Sequence, residues 1–255
     1  MSRDSVSLKS GSFLMAFLLL VGCASIGVVN FDKAANTHIK TIALLRVDEP
    51  MEFWRHDPHS KSEKAAWMAG SCLGGCLFVL PAAAISARIV KTHGENFREA
   101  FNYHQIQFGP AMVESLRQEL TNKGFDFIYL KDQSLVTGAD ERDRNLSHIK
   151  TDADAILFVS IGMVGYSALG NKKGEYKPTV SVHACLIDSR SKKIIYSRIF
   201  SVGELSGGVN AENMLPVEGY KYNSLDTLLK DINEAAQGII DCQRKIAARI
   251  AEQLT

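Results

Sequence analysis

A chain of 255 residues with 29 Lys+Arg against 28 Asp+Glu is long enough for one principal domain with a sizeable core, and it carries no excess of charge. Near-neutrality gives no global argument for nucleic acid or for an acidic surface as partner. Five cysteines spread over this length, at 23, 72, 76, 185 and 242, do not form the dense framework of a small disulfide scaffold.

The chain opens with Arg3 and Lys9, then the apolar run Phe13-Leu14-Met15-Ala16-Phe17-Leu18-Leu19-Leu20-Val21, Gly22 and Cys23. Such a run is too short to span a bilayer and has the length of a signal-peptide core. The block Leu20-Val21-Gly22-Cys23 resembles the lipobox of bacterial lipoproteins, in which the leader is cut before a cysteine that is then lipidated. The resemblance implies a leader over 1–22, acyl chains on Cys23, and a mature chain in which the two charge signs balance. Each buried methylene contributes about 0.8 kcal/mol, so several acyl chains hold a protein firmly at a membrane. Ala24 stands where an Asp marks inner-membrane retention in that family, which implies the periplasmic face of the outer membrane. Residues 23–39 read as a lipid-anchored tether, small and polar from about Ala24 to Thr37. Residues 40–255 read as the folded domain.

Thr41 to Val47 is mostly apolar and predicts a buried first strand. A polar loop with His56-Asp57-Pro58-His59 follows. The chain then runs uncharged from Ala65 to Ala87, between Lys64 and Arg88. From about Asn96 to Lys123 the pattern is helical with a break at Gly109-Pro110, Pro110 suiting a first helical position. Met112, Val113, Leu116 and Leu120 share one face there, and Gly124 supplies the stop. Phe125 to Leu130 predicts a second strand, the charged stretch Asp140 to Lys150 a surface helix, and Ala155 to Ile161 a third strand. After a loop rich in Gly and Lys from Gly165 to Gly174, Thr179 to Ile187 alternates with Val180, Val182, Ala184 and Leu186 on one side. A turn over Asp188 to Lys192 and a return over Lys193 to Val202 complete an antiparallel hairpin. Glu204 to Asn223 reads as loop. A long helix capped by Ser224 carries an apolar stripe from Leu225 to Ile250, wide enough to pack on a sheet. The expected fold is α/β, a mixed sheet with an antiparallel hairpin, flanked by helices and interrupted by an apolar helical insertion rich in Gly and Ala at 65–87.

Three segments have recognisable words. Lys40-Thr41-Ile42-Ala43-Leu44-Leu45, Ala153-Asp154-Ala155-Ile156-Leu157-Phe158-Val159-Ser160-Ile161, and Val182 to Asp188 with Ile194-Ile195-Tyr196-Ser197 resemble the first strand, third strand and hairpin of the periplasmic domains of curli-secretion (CsgG-like) lipoproteins and the TolB amino-terminal domain. The likeness covers roughly residues 40 to 250 outside the insertion. It implies a non-enzymatic role in envelope assembly, as a scaffold or partner-binding component, with a subunit of an oligomeric secretion or transport channel as the alternative. The partners implied are the membrane, through Cys23, and further copies of the chain or other envelope proteins.

The insertion is long enough to cross a bilayer as a helix. Ala66, Gly70 and Gly74 are four apart, with Ser71 and Gly75 on the neighbouring line, a small-residue stripe of glycine-zipper type that lets helices approach closely. A single crossing would separate the first strand from its partners, and two helical crossings do not fit the length. Two β crossings would fit, but Ala82-Ala83-Ala84 and Leu77 to Leu80 lack the alternation of lipid-facing strands. A helix bent near Pro81 that dips into the membrane, packs on another protomer, or lies buried in the domain's own core remains.

No residue set points to catalysis, a cofactor or a metal. His56 and His59 are split by Pro58 in a loop without a further ligand cluster. His93 and His104 have no visible catalytic partner, and Cys72 and Cys76 read as buried thiols, not a redox pair. GxSxG, HExxH and P-loop patterns are missing from the sequence, and the glycines from 165 to 174 precede a strand, so they present no helix terminus to a phosphate. Lys172, Lys173 and Lys177 read as a solvated loop.

Overall fold

The computed structural model describes residues 27–50, 52–56, 97–134, 136–137, 144–145, 148–168, 175–203 and 210–255. Its strands are β1 (Thr41–Leu45), β2 (Glu52–His56), β3 (Asp126–Leu130), β4 (Val136–Thr137), β5 (Arg144–Asn145), β6 (Ala155–Ser167), β7 (Lys177–Asp188), β8 (Ile194–Val202) and β9 (Ala211–Met214). Its helices are α1 (97–103), α2 (Phe108–Asn122), α3 (Leu225–Lys230) and α4 (Ile232–Gln253). A seven-stranded mixed sheet has the order β3-β1-β6-β7-β8-β9, with β2 also on β6, while β4 and β5 pair separately. The α/β class, the mixed sheet and the antiparallel hairpin match the sequence reading.

The 13-residue strand β6 organises the sheet. Its first half pairs in parallel with β1 and its second half in parallel with β2, so one edge of β6 carries two successive strands. Its other edge pairs antiparallel with β7, with a shift in register between Ile161 and Met163. Ala155, Leu157, Val159 and Ile161 are core residues before the shift, and Val164 and Tyr166 after it. The extra residue is Gly162, and this bulge changes which side chains face inward, so that Tyr166 joins the core rather than the opposite face. The β7 alternation is regular. Val180, Val182, Ala184 and Leu186 belong to the main core, and Cys185 and Ile187 join Leu45, Ile149 and Ile156 in a smaller cluster on the other face.

α2 and α4 pack on each other and cover the main face. α2 buries Met112, Leu116 and Leu120, and its end is a Schellman turn: Gly124 sits at φ 89°, its N–H donating to Thr121 O and that of Phe125 to Leu120 O. The break expected at Gly109-Pro110 falls earlier, at 104–107, where Gln105 has φ 56°. Pro110 is therefore the third residue of α2, still inside the turn whose N–H groups need no helical partner. Ser224 caps its helix through a reciprocal capping box with Thr227, but the single long helix is divided at Asp231 into α3 and α4.

Three further expectations are corrected. Within the charged stretch read as a surface helix, Arg144–Asn145 forms a short antiparallel ladder with Val136–Thr137; the five charges of Asp140 to Arg144 leave no apolar stripe there to bury. Gly165, read as the start of a loop, lies inside β6, its backbone paired on both sides by β2 and β7. The stretch read as a tether is docked from its Val29 onward: Val29 and Ser197 exchange both backbone hydrogen bonds at 2.9 Å, Phe31 packs on the core, and His38 Nε2 lies 2.8 Å from Asp188 Oδ2. Two of the polar residues that suggest a free linker, Asn30 and His38, bond to the domain, at Arg198 and Asp188.

Candidate functional site

The insertion is carried by two stems, and both belong to one end of the sheet. The chain leaves at the end of β2, where His56 pairs with Ser167 of β6. It returns at Phe97, whose ring centroid is 6.2 Å from that of Tyr166, next to Ser167. Four phenylalanines tie the stems together. Phe53 of β2 lies 5.9 Å from Phe101 of α1 and 6.1 Å from Phe108 of α2, and Phe101 meets Phe97 and Phe108 edge-on at 5.1 and 5.2 Å. Edge-to-face pairs at these separations contribute about 0.5–1.5 kcal/mol each beyond area burial.

A cleft of about 500 Å³ opens beside the stems, lined by Glu49, Phe53, Arg98, Asn102 and Gln105 among others. Its floor is the start of α2. Gln107 offers this helix no side-chain cap, and Glu49 does so from a distance, its two carboxylate oxygens accepting the N–H groups of Phe108 and Gly109 at 3.0 Å each. An anion at a helix N-terminus answers both the unpaired donors and the dipole. Gly109 is required for this approach, since a Cβ there would stand 2.8 Å from Val47 O and 3.2 Å from Glu49 Oε1. Arg98 lies over the Phe53 ring, its guanidinium carbon 5.7 Å from the centroid.

The far end of the sheet is held by carboxylates. Asp154 Oδ2 accepts the N–H groups of Lys40 and Thr41 at 3.0 Å, and these bonds hold its carboxyl below the usual range. Asp188 accepts from the backbone of Ser191 and Arg190 within its turn and pairs with His38; the Ser191 bond is the main cause of a carboxyl far below the ordinary value. At the β8–β9 edge, Glu212 accepts from Arg198, Arg249 and Gln253 at 2.7, 2.6 and 2.6 Å. Burial pushes Glu212 up, and the three donors outweigh it, leaving the carboxyl below its ordinary value.

Cys23, Ala66, Gly70, Ser71, Gly74 and Gly75 lie outside the described residues, as do Cys72, Cys76, His59, His93 and the side chain of His56. Cys185 and Cys242 are buried and outside any disulfide, and burial raises the Cys242 thiol to about 12. His104 is exposed and its ring meets Tyr103. Among the described residues, no group of three or more His, Cys, Asp or Glu is placed to hold a metal ion, and no helix is long and apolar enough to cross a membrane. The phenylalanine cluster and the Glu49 cap escape sequence reasoning. Phe97, Phe101 and Phe108 do recur at near-helical spacing, but nothing in the sequence ties them to Phe53 or places Glu49, 59 residues from Phe108, at a helix end.

No family model matches the chain, and no curated protein matches it. Solved structures that overlap it include a DUF330 protein from Xanthomonas campestris (8% identity, TM-score 0.38, covering 84% of this chain and 82% of that one). A dodecameric PelC from Paraburkholderia phytofirmans overlaps at 12% identity and TM-score 0.24, over 62% of this chain and 65% of the other. Lipoprotein GNA1162 from Neisseria meningitidis overlaps at 16% identity and TM-score 0.28, over 79% and 97%. At these scores the overlaps carry no argument about this chain.

Proposed function

We propose that this chain is a non-enzymatic, lipid-anchored protein of the bacterial cell envelope, held through acyl chains on Cys23 at the periplasmic face of the outer membrane. There it acts as a scaffold that binds further copies of itself or other envelope proteins. The observation that carries the reading is the joining of two features in one chain. A lipobox-like block precedes the domain, and a long uncharged, small-residue segment is inserted between stems that the Phe53, Phe97, Phe101 and Phe108 cluster fixes side by side. A rigid base of that kind supports a contact element without strain in the sheet. Anchoring raises the effective concentration of such an element at the membrane without adding a contact.

Two variants test the proposal. Cys23→Ser is expected to release a folded protein from the membrane fraction and to abolish the acyl mass on the mature N-terminal peptide. Deletion of Ala65 to Ala87 is expected to leave the sheet folded while lowering the assembly size measured by light scattering. Unchanged assembly together with unchanged membrane extraction after that deletion would sink the contact role.

A further inference from the structure

We propose that the β8–β9 edge of the domain, with Val28 and Leu215, lies against the lipid surface. The inference rests on acylation of Cys23 as proposed above and adds which side of the fold faces the bilayer.

Only residues 24–26 separate Cys23 from Gly27, and four Cα steps span at most about 14 Å. Gly27 is itself near the sheet. Two residues on, Val29 is bonded to Ser197 through both backbone groups, and Asn30 Oδ1 accepts from Arg198. The same outer edge of β8 is taken over two residues past Ser197 by β9, where Ile199 pairs with Ala211. The chain toward Cys23 therefore comes off the domain where the Val29 segment gives way to β9. A domain of about 200 residues has a radius of gyration of about 16 Å, so the tether is too short to let the opposite edge, β3, face the membrane while Val29 stays docked.

The surface beside that exit fits a bilayer interface by its exposed apolar groups. Leu215, which directly follows β9, is 80% exposed, and Val28 is 42% exposed. The nearby arginines are paired with carboxylates within the protein, and Lys245 is turned to a backbone carbonyl. Arg198 and Arg249 share Glu212, Arg244 pairs with Asp241 at 2.7 Å, and Lys245 Nζ donates to Leu215 O at 2.9 Å. The tether and the apolar contact set the orientation.

The test uses the full acylated protein purified from membranes and reconstituted into phosphatidylethanolamine vesicles, with or without phosphatidylglycerol. p-Benzoylphenylalanine is placed at Leu215, at Val28, or at the exposed Tyr129 on β3, and lipid-sized adducts are measured by mass spectrometry after irradiation. Lipid adducts are expected at 215 and 28 in both lipid mixtures, with their loss at 129. Equal yields at all three positions, adducts at 129 alone, or adducts at 215 that are protein and not lipid overturn the orientation while Cys23 remains acylated. An unmodified Cys23 in the same mass spectra overturns the anchoring reading and this inference with it.

Discussion

Asp154 and Asp188 each turn a carboxylate toward backbone N–H groups, and this makes the fold sensitive to acid. Both folded-state pKa values lie below the ordinary carboxyl value. A depressed carboxyl contributes stability that is fully present above the unfolded pKa, about 3.9, and is lost as pH falls toward the folded value. Urea unfolding midpoints should therefore hold from pH 7 to about 5 and fall as pH is lowered from about 5 to about 2. Asp188→Asn should start less stable at pH 7 and lose less over that interval; an equal loss in the two proteins would remove Asp188 from the account. Asp154 stands in the sequence immediately before the apolar run that begins at Ala155. Its role is not legible there, since the donors it accepts from, at Lys40 and Thr41, precede it by more than 110 residues.

Among the elements, those with a strong period were legible and those held by a single contact were not. The α2 face, the β7 alternation and the Ser224 cap follow directly from residue spacing. β2 and β9 do not: Glu52-Phe53-Trp54-Arg55-His56 and Ala211-Glu212-Asn213-Met214 have little apolar period, and each is a strand because long β6 or β8 offers it a free edge. The division at Asp231 was hidden for the opposite reason, as Leu228, Ile232 and Ala235 keep three- and four-residue spacing across it. The bulge at Gly162 provides the sharpest test at this scale. Gly162→Ala is expected to be tolerated, because an added Cβ would meet nothing nearer than Ser181 O at 3.7 Å. Deleting Gly162 makes Met163 follow Ile161 in a regular ladder opposite Val182 and Ser181, which keeps Val164 and Tyr166 facing the core, so it should cost less than about 3 kcal/mol, the scale of losing one buried aromatic. Denaturant unfolding of the two variants checks both expectations. The stem cluster makes a parallel prediction: Phe101→Ala, at a fully buried centre of the ring contacts, should cost about 3–5 kcal/mol by the same measurement.

At the scale of the molecule, the segment before β1 is part of the folded unit. Truncation to begin at Lys40 removes the Val29 pairing, the Asn30 bond to Arg198, the Phe31 packing and the His38 contact with Asp188. The thermal midpoint should drop by about 4 °C or more, given 2–4 °C per kcal/mol for a domain of this size. An unchanged midpoint would mean that the segment contributes nothing to stability. The same arrangement bears on when folding can finish. Val29 waits for Ser197, β1 is enclosed by β3 and β6, and the main core closes only when α4, ending at Gln253, settles on β7 and α2. Such long-range closure is intrinsically slow. On the proposed export route, a chain emerging amino end first cannot complete this core until α4 is available, so it stays threadable up to that point.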